Sequence, residues 1–439
     1  MAASQNDTIC ALATSVGRSG IGIIRVSGPK AKKVAKKILK TVPKNRQAQL
    51  LNFYTLDNLV LDKGIALFFK APKSFTGEDI LELQAHGGPV LLDLINQQIL
   101  SLGVRPARPG EFSERAFLNQ KIDLSQAEAI ADLIDASSKQ AIISANKSLQ
   151  GDFAKEIDHL VEKLIELRML VESALDFPEE DIDFVEDYQV HERLCSIKLQ
   201  LENIHKMSTM GNILREGMTV VIAGEPNVGK SSLLNAITQK PSAIVTDIPG
   251  TTRDVLREYI SIDGIPLHII DTAGIRISDN LVEQEGIKRA KQEISNADCV
   301  LLMLDDRKPS KININQKIPQ IKIFNKVDLS NGVFGIRGNN EVGISAKTLQ
   351  GIDELKQKIK KIMGFVDLGQ GVILARRRHL VALEASLEEI NMALTNLNSS
   401  LELLAENLRS SHEKLSEITG KFTNDDLLGK IFQEFCIGK

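Results

Sequence analysis

The sequence predicts three structural parts: an N-terminal α+β domain, an all-α domain that is discontinuous along the chain, and an α/β domain inserted into it. Short β-like runs separated by glycines and prolines occupy residues 1–118. Apolar residues recur at intervals of three and four in residues 119–214 and again in 372–439, which is the period of a helix. Between these helical blocks, residues 215–371 alternate apolar runs with amphipathic segments, as a mostly parallel sheet requires.

Individual elements of these parts follow from local patterns. We predict N-terminal strands at Ile21–Val26, Ile65–Phe69 and Ile80–Gln84. In the second helical block, apolar residues from Leu380 to Leu408 step alternately by three and four. That spacing predicts a heptad helix of about four heptads, which would contribute to a bundle core.

Composition limits the class of protein. The 439 residues allow two or three domains, and the net charge of −3 means that any RNA contact must come from a local patch or a partner. One candidate is a set of lysines on a predicted amphipathic helix, and these either contact RNA phosphates or form a solvated face. They are Lys30, Lys32, Lys33, Lys36, Lys37 and Lys40.

Cysteine usage and apolar runs indicate the compartment. Four scattered cysteines without a CxxC pair argue against a disulfide framework and a zinc site. The N-terminus shows no secretory signal, and no apolar run reaches the length of a membrane span. We expect a cytoplasmic protein that does not interact with membranes.

The segment Gly224–Ser231 reads GEPNVGKS and fits the phosphate-binding pattern GxxxxGKS. It follows an apolar strand and opens a predicted helix, so its backbone N–H groups can wrap phosphates at a helix N-terminus. Lys230 would neutralise the β- and γ-phosphates, and the Ser231 hydroxyl would ligate Mg²⁺.

Three further motifs come in the order typical of guanine-nucleotide domains, and the first two end apolar runs. Asp271–Gly274 (DTAG) supplies an acid near the metal and a glycine N–H for the γ-phosphate. Asn325–Asp328 (NKVD) offers a carboxylate that can accept both donors on the guanine edge, which adenine does not present. Ser345–Lys347 (SAK) fits a backbone contact to the base. The sequence therefore predicts a P-loop domain that binds and hydrolyses GTP.

The predicted nucleotide contacts include a loop between the P-loop and DTAG, where Thr252, or failing that Thr251, would ligate Mg²⁺ and sense the γ-phosphate. Ile275 stands where a Ras-like GTPase carries a water-orienting glutamine, so the catalytic group must lie elsewhere, with candidates in 279–285. The full set of predicted GTP contacts is Asn227, Val228, Gly229, Lys230, Ser231, Ser232, Thr246, Asp247, Ile248, Pro249, Gly250, Thr251, Thr252, Asp271, Thr272, Ala273, Gly274, Asn325, Lys326, Asp328, Ser345, Ala346 and Lys347.

Motifs outside this domain carry a family resemblance over essentially the whole chain. They are 22–28 (GIIRVSG), 75–82 (FTGEDILE), 86–88 (HGG), 108–119 (RPGEFSERAFLN), 250–254 (GTTRD) and the tail 435–439 (FCIGK). With the GTPase motifs, they resemble the MnmE (TrmE) family of bacterial tRNA-modifying GTPases.

The resemblance implies an N-terminal domain that binds folate and dimerises, a helical domain and an inserted GTPase domain. It also implies that K⁺ activates hydrolysis, with Asn227, Thr246, Ile248 and Thr251 around the ion. Glu283 matches the family's water-orienting acid, and Lys230 is the other residue assigned to catalysis. The implied folate contacts are Arg25, Glu82, Lys121 and Lys439, and Cys436 matches a cysteine of the family's tail.

The family's activity implies the partners. Members form homodimers and join an FAD-dependent partner, MnmG, in a heterotetramer. Together they modify C5 of the wobble uridine of certain tRNAs with a carboxymethylaminomethyl or aminomethyl group. A tetrahydrofolate derivative, in its 5-formyl or methylene form, supplies the one-carbon unit. Two alternatives remain open: a ribosome-assembly regulatory GTPase, and a folate-dependent methyltransferase-like enzyme that GTP only regulates.

Overall fold

A computed structural model describes most of the chain. By their contacts, the residues form two compact units. Unit 1 comprises residues 1–131, 149–165 and 409–439, and unit 2 comprises residues 132–148 and 166–408. The domain boundaries given above remain predictions. The described residues are 7–15, 17–136, 138–176, 189–225, 227–238, 257–262, 265–271, 297–308, 318–362, 372–397, 400–421, 425–433, 435 and 438.

The strands form two sheets. In chain order they are β1 Ile9–Leu12, β2 Ser19–Ser27, β3 Gln49–Tyr54, β4 Val60–Phe69, β5 Ile80–Gly87, β6 Arg105–Pro106, β7 Met218–Gly224, β8 Arg257–Ile262, β9 Ile265–Asp271, β10 Cys299–Asp305, β11 Gln320–Asn325, β12 Gly335–Gly338 and β13 Glu341–Gly343. Each N-terminal strand predicted from the sequence lies within one of these, in β2, β4 and β5.

The helices of the described residues are α1 Ala31–Ile38, α2 Pro89–Leu100, α3 Glu111–Leu118, α4 Leu124–Asp135, α5 Lys139–Leu149, α6 Asp152–Asp176, α7 Val190–Glu216, α8 Lys230–Thr238, α9 Ile352–Ile362, α10 Arg377–Asn396, α11 Leu401–Thr419 and α12 Asp425–Gln433. Within the described part of the chain, none combines the length and apolarity that a membrane crossing needs.

In unit 1, a six-stranded sheet has the order β3-β4-β5-β2-β1-β6. Its neighbouring strands are antiparallel except for β1 and β6, and β2 pairs with β5 in a register that sets Arg25 opposite Glu82. Helices α1 and α2 join the core of this sheet through residues such as Val34 and Ile95, both fully buried. Full burial of such a side chain contributes about 1.5–3 kcal/mol, so this core fixes which face of α1 points outward.

Unit 2 contains a seven-stranded sheet with the order β12-β13-β11-β10-β7-β9-β8. The five central strands from β13 to β9 are parallel, and every residue of β10 is buried. Leu301 and Met303 belong to one apolar cluster, and Val300 and Leu302 belong to another, because successive side chains point to opposite faces. The sheet is therefore covered on both faces, as the apolar runs predicted, and its strands' carboxyl ends meet at one edge.

The chain enters the region of this sheet after α7 and leaves it before α10, and a residue at each connection binds the same carboxylate. Arg215 lies near the end of α7, just before β7, and Arg376 immediately precedes α10. Both guanidinium groups lie 2.8 Å from Oδ1 of Asp132, whose side chain is almost fully buried. The entry to the sheet and the return from it are thus tied to the same residue of α4.

The leucine stripe from Leu380 to Leu408 requires one correction. It continues over two helices, since α10 ends at Asn396 and α11 begins at Leu401. Ser400 explains where the second helix begins, because its Oγ accepts a hydrogen bond from the Leu403 N–H at 3.2 Å. Such a bond satisfies a donor at a helix start, so the local serine overrides the heptad spacing.

Candidate functional site

The predicted phosphate-binding loop lies at the carboxyl edge of the parallel sheet, between β7 and α8. Lys230, the first residue of α8, is almost fully buried, and its Nζ donates to the carbonyls of Gly224 at 2.8 Å and Glu225 at 3.0 Å. The loop therefore encloses an ammonium group at the N-terminus of a helix. Both features attract an anion to the same place.

Two glycines of this loop are required by close approaches. Gly224 has φ +153° and lies against the carbonyl of Met303 on the neighbouring strand. Gly229 has φ +102°, and a Cβ there would run into the side-chain amide of Asn325. A side chain at either position would push the loop away from the adjacent strands.

Asn325, the last residue of β11, connects three of the predicted motifs. Its side chain is buried; Nδ2 donates to the Val228 carbonyl at 2.7 Å, and Oδ1 accepts from the Ala346 N–H at 3.0 Å. The P-loop, NKVD and SAK are thereby held by one amide group. Losing either bond would leave a polar atom buried without a hydrogen-bond partner, which costs free energy. The connection between the three motifs is therefore stable.

Lys326 makes a second connection. Its backbone adopts a left-handed conformation with φ +66°, and its Nζ donates to the Asn227 carbonyl at 2.8 Å and to Oδ2 of Asp305 at 2.9 Å. The parallel register sets Asp305 opposite Asn325, which explains why the ammonium group reaches it.

Asp305 is a site residue that the sequence analysis missed. Its carboxylate accepts two bonds from the guanidinium of Arg307, at 2.9 and 2.8 Å. These bonds, which outweigh the opposing effect of burial and act together with Lys326, hold the pKa of Asp305 well below its usual range. In the sequence, the one feature that could have identified Asp305 is the position of a carboxylate at the end of an otherwise apolar strand.

The other described members of the predicted GTP set lie around this core. Ser231 and Ser232 are exposed in the first turn of α8, and Asp328 is exposed on the 3₁₀ helix Val327–Leu329. The buried Ser345 accepts a hydrogen bond from the Thr348 N–H at 3.2 Å, and Asp271 ends β9 opposite Ile222 of β7.

Some predicted residues lie outside the described part of the chain: Thr246, Asp247, Ile248, Pro249, Gly250, Thr251, Thr252, Thr272, Ala273, Gly274, Glu283, Cys436 and Lys439. Among the residues that are described, no group of three or more His, Cys, Asp or Glu side chains is arranged to hold a metal ion.

A second candidate site lies in unit 1, on β2 and β5. Arg25 Nε donates to Oε1 of Glu82 at 2.8 Å, and Arg25 Nη1 lies 3.5 Å from the carbonyl of Gly438 in the C-terminal tail. The guanidinium group also lies 6.0 and 5.7 Å from the ring centroids of Phe75 and Phe112. Lys121 packs beside Gly77 in the loop that carries Phe75. Two of the predicted folate residues, Arg25 and Glu82, are therefore in direct contact.

A network of ion pairs holds the segments that carry those two rings. Arg115 is almost fully buried and lies 3.0 Å from Glu78, 3.1 Å from Glu111 and 2.5 Å from Asp7. Glu111 adjoins Phe112 in the sequence, and Glu78 belongs to the loop 74–79, which also carries Phe75. The motif that contains Glu111 and Arg115 supported the resemblance, but no role followed from its sequence.

The ionisation of Glu111 follows from this network. Burial opposes the charged form, but hydrogen bonds from Arg105, the Arg108 N–H and Arg115 outweigh it and lower the pKa of Glu111 to about 2. The carboxylate is therefore charged at neutral pH although its side chain is only 1% exposed. Buried charges of both signs are arranged here so that each has a partner.

Comparison with known proteins identifies a family for most of the chain. The model of the MnmE helical domain matches residues 124–436, and that of the GTP-binding protein TrmE N-terminus matches residues 8–121. The tRNA modification GTPase MnmE of Photobacterium profundum is 55% identical over 450 residues, covering 99% of each chain.

Solved structures give much weaker matches. The G domain of the T. maritima FeoB iron transporter is 25% identical and covers 33% of this chain and 98% of its own, with a TM-score of 0.25. Era of Aquifex aeolicus is 23% identical and covers 39% and 66%, with a TM-score of 0.26. Scores this low carry no structural argument, so the assignment depends on the family models and the full-length relative. The chain belongs to the MnmE (TrmE) family of tRNA modification GTPases.

Proposed function

We propose that this chain is a K⁺-activated GTPase that acts with an FAD-dependent partner, MnmG, on C5 of the wobble uridine of certain tRNAs. A tetrahydrofolate derivative would supply the one-carbon unit for a carboxymethylaminomethyl or aminomethyl group. The observation that carries the GTPase half is the Asn325 amide, which joins the phosphate loop to the NKVD and SAK motifs. The tRNA half is supported by the family to which the chain belongs.

The phosphate loop suggests how the nucleotide is held. The Lys230 ammonium, bonded to two loop carbonyls, would exchange these for β- and γ-phosphate oxygens. Ser231, exposed in the first turn of α8, and Thr252 would ligate Mg²⁺, which would offset the negative charge of the phosphates. Asp271 ends the adjacent strand and would place an acid beside that metal.

Guanine selectivity would come from Asp328, whose exposed carboxylate can accept from both donors on the base edge. Lys326 is fixed by Asp305 and the Asn227 carbonyl, so the NKVD segment is anchored to the phosphate loop. The same anchor would fix the separation between the base and the phosphates, which a specific site needs.

Hydrolysis requires a group to replace the glutamine that Ile275 does not supply. We propose that Glu283 orients the water, and that Asn227, Thr246, Ile248 and Thr251 hold a K⁺ ion that offsets charge in the transition state. Among these, Asn227 is described, and it is exposed at the rim of the loop with φ +64°.

The contact between Arg25 and Glu82 is compatible with a folate. Glu82 would accept hydrogen bonds from the donors of the pterin edge, and Arg25, which donates to Glu82 at 2.8 Å, would hold that carboxylate in place beside the same end of the folate, since both side chains remain partly exposed. Lys121 and Lys439 would add positive charge, and Cys436 lies in the same tail as Gly438, whose carbonyl faces Arg25.

The proposed assembly is a cytoplasmic homodimer that joins MnmG in a heterotetramer. Apolar side chains on the sheet of unit 1 support an association surface: Leu50 and Ile65 oppose each other across β3 and β4 and are 63% and 39% exposed. Exposed apolar residues that lie together on a surface indicate an interface.

Nucleoside mass spectrometry of tRNA from cells lacking this chain tests the proposal. We expect the C5-modified wobble uridine to disappear and to return on complementation with the wild-type chain, but not with Glu283→Ala. Purified wild-type chain should hydrolyse GTP markedly faster in K⁺ than in Na⁺. If the modified uridine persists in cells lacking the chain, the role in tRNA modification is rejected and ribosome profiles become the next measurement. Equal rates of hydrolysis in both salts would reject only the role of K⁺.

A further inference from the structure

Positive charge is concentrated in one stretch of unit 1. Residues 29–56 contain eight lysines and arginines and no aspartate or glutamate, although the whole chain has a net charge of −3. This segment includes α1 and β3. Such an asymmetry within an acidic chain indicates a local surface with its own partner.

Helix α1 directs four of these eight cations outward. Val34, Ala35 and Ile38 bury one face of the helix in the core of the sheet. On the other face, Lys33, Lys36 and Lys37 are exposed, and their ammonium groups make no ion pair or hydrogen bond with another described residue. These three ammonium groups repel one another at helical spacing, and a bound anion would relieve that repulsion.

Contacts extend this surface beyond the helix. The Lys32 ammonium lies 3.2 Å from Asp79, whose other carboxylate oxygen accepts the Ala71 N–H at 2.9 Å. Arg46 donates to the Lys73 carbonyl at 2.7 Å. The segments 44–46 and 70–73 therefore border α1, and together they form a basic patch consisting of Lys32, Lys33, Lys36, Lys37, Lys40, Lys44, Arg46, Lys70 and Lys73, all exposed.

The chemistry of the patch favours RNA over a protein partner. Protein interfaces are depleted in lysine at their centre and enriched in aromatic residues. The exposed residues of α1 are all lysines. Nucleic-acid interfaces, in contrast, are strongly positive, and lysines neutralise phosphates there as point charges.

We propose that the basic patch binds the sugar-phosphate backbone of the tRNA substrate, an inference that depends on the proposed function. The patch extends toward the candidate folate site in unit 1. Asp79, which pairs with Lys32, is three residues before Glu82, or about 10 Å along an extended strand. A tRNA held on the patch would therefore have its backbone beside the site that contains Arg25 and Glu82.

The test uses the full chain carrying Lys33→Ala, Lys36→Ala and Lys37→Ala together. Alanine preserves helix propensity, so α1 should still form. The probe is a fluorescein-labelled, unmodified tRNA transcript, and binding is measured from 50 to 200 mM salt. We expect affinity at least tenfold weaker and a slope of log K against log salt that is smaller by about 2–3, because each lost phosphate contact removes about 0.7–0.9. GTP hydrolysis should stay at the wild-type rate.

Two controls separate position from charge. Arginine at the same three positions keeps the charge and should bind as the wild type does. The set Lys139→Ala, Lys206→Ala and Lys361→Ala removes the same charge from exposed positions on α5, α7 and α9 and should leave affinity and slope unchanged.

The outcomes distinguish the patch from the proposed function. Equal affinity and slope for the α1 variant, or equal losses for both alanine sets, would overturn the patch. Retained tRNA binding with loss of a protein partner would also overturn it. If the wild-type chain fails to restore the modified uridine in cells while the α1 lysines still govern tRNA binding, the patch stands and the proposed function fails.

Discussion

The two candidate sites of this protein are built in opposite ways. In unit 2, most of the contacts are made to backbone carbonyls and N–H groups of the loops that follow the parallel strands, and a few side chains such as Asn325 and Lys326 bind these segments together. In unit 1, side chains from distant parts of the chain meet, and ionised groups such as Glu111 and Arg115 hold them. The first design depends on local backbone shape, whereas the second depends on long-range charge pairing.

Removing one charged group should therefore lower the free energy of unfolding most in unit 1. For Glu111→Gln, we expect a loss of about 3–5 kcal/mol in the free energy of unfolding at pH 7, since Arg105 and Arg115 lose a buried partner. Urea denaturation followed by a probe in unit 1 measures this. GTP turnover of this variant should persist at pH 7 without urea, because the nucleotide contacts lie in unit 2.

The pH dependence checks the cause. The pKa of Glu111 in the folded chain, about 2, lies below its ordinary value of 4.5, so its contribution is present above pH 4.5 and is lost as the pH falls toward 2. The difference in the free energy of unfolding between the wild type and Glu111→Gln should therefore become smaller as the pH falls from 4.5 toward 2. Glu114→Gln is the control, since the pair of Glu114 with Arg108 is more exposed and should contribute about 1 kcal/mol or less. Equal losses for both variants would contradict the assigned role of burial.

The largest effect expected in unit 2 is on rate. Lys230→Ala removes the enclosed ammonium group, and we expect kcat for GTP to fall by about 10²–10³-fold, the usual cost of one transition-state donor. Single-turnover hydrolysis measures it, with a thermal melt to show that the sheet remains folded. A rate within tenfold of the wild type would mean that another group neutralises the phosphates.

These two regions also differ in how far the sequence predicts them. The GxxxxGKS pattern correctly locates Lys230 at the start of the helix that follows a strand, because the motif itself specifies the local backbone. The pairing of Lys326 with Asp305 could not be predicted, since it depends on the parallel register of β10 with β11. In unit 1, the contact of Arg25 with Glu82 depends likewise on the register of two strands separated by more than fifty residues.

Family resemblance named Arg25 and Glu82 as folate contacts, but it gave no role to Arg115, Glu111 or Glu78. Their proximity follows from how α3 packs beside the loop 74–79 in unit 1, and no local period encodes that packing. The leucine stripe shows the reverse case. A correct helical period predicted one helix, and a single serine at position 400 begins a second.

Asn325 allows a sharper test of the backbone-based site. Asn325→Ala would leave the Val228 carbonyl and the Ala346 N–H without their bonds, at about 1–3 kcal/mol for each unsatisfied group. We expect lower stability and weaker GTP binding together, measured by thermal unfolding and nucleotide titration. Asn339→Ala, at an exposed asparagine of the same unit, should change neither. Weakened GTP binding with unchanged stability would indicate that Asn325 contacts the nucleotide and does not join the motifs.

The smallest expected effect, at Asn227, separates backbone from side chain within one residue. Its φ of +64° is accessible to glycine, tolerated by asparagine and unfavourable for alanine by about 1 kcal/mol. Asn227→Gly should therefore preserve stability while removing the proposed K⁺ ligand, so that hydrolysis in K⁺ slows toward the rate in Na⁺. Asn227→Ala should show the same loss of K⁺ stimulation with a lower thermal midpoint. If Asn227→Gly retains full K⁺ stimulation, the side chain has no part in holding the ion, and the left-handed backbone is the whole reason for an asparagine at this position.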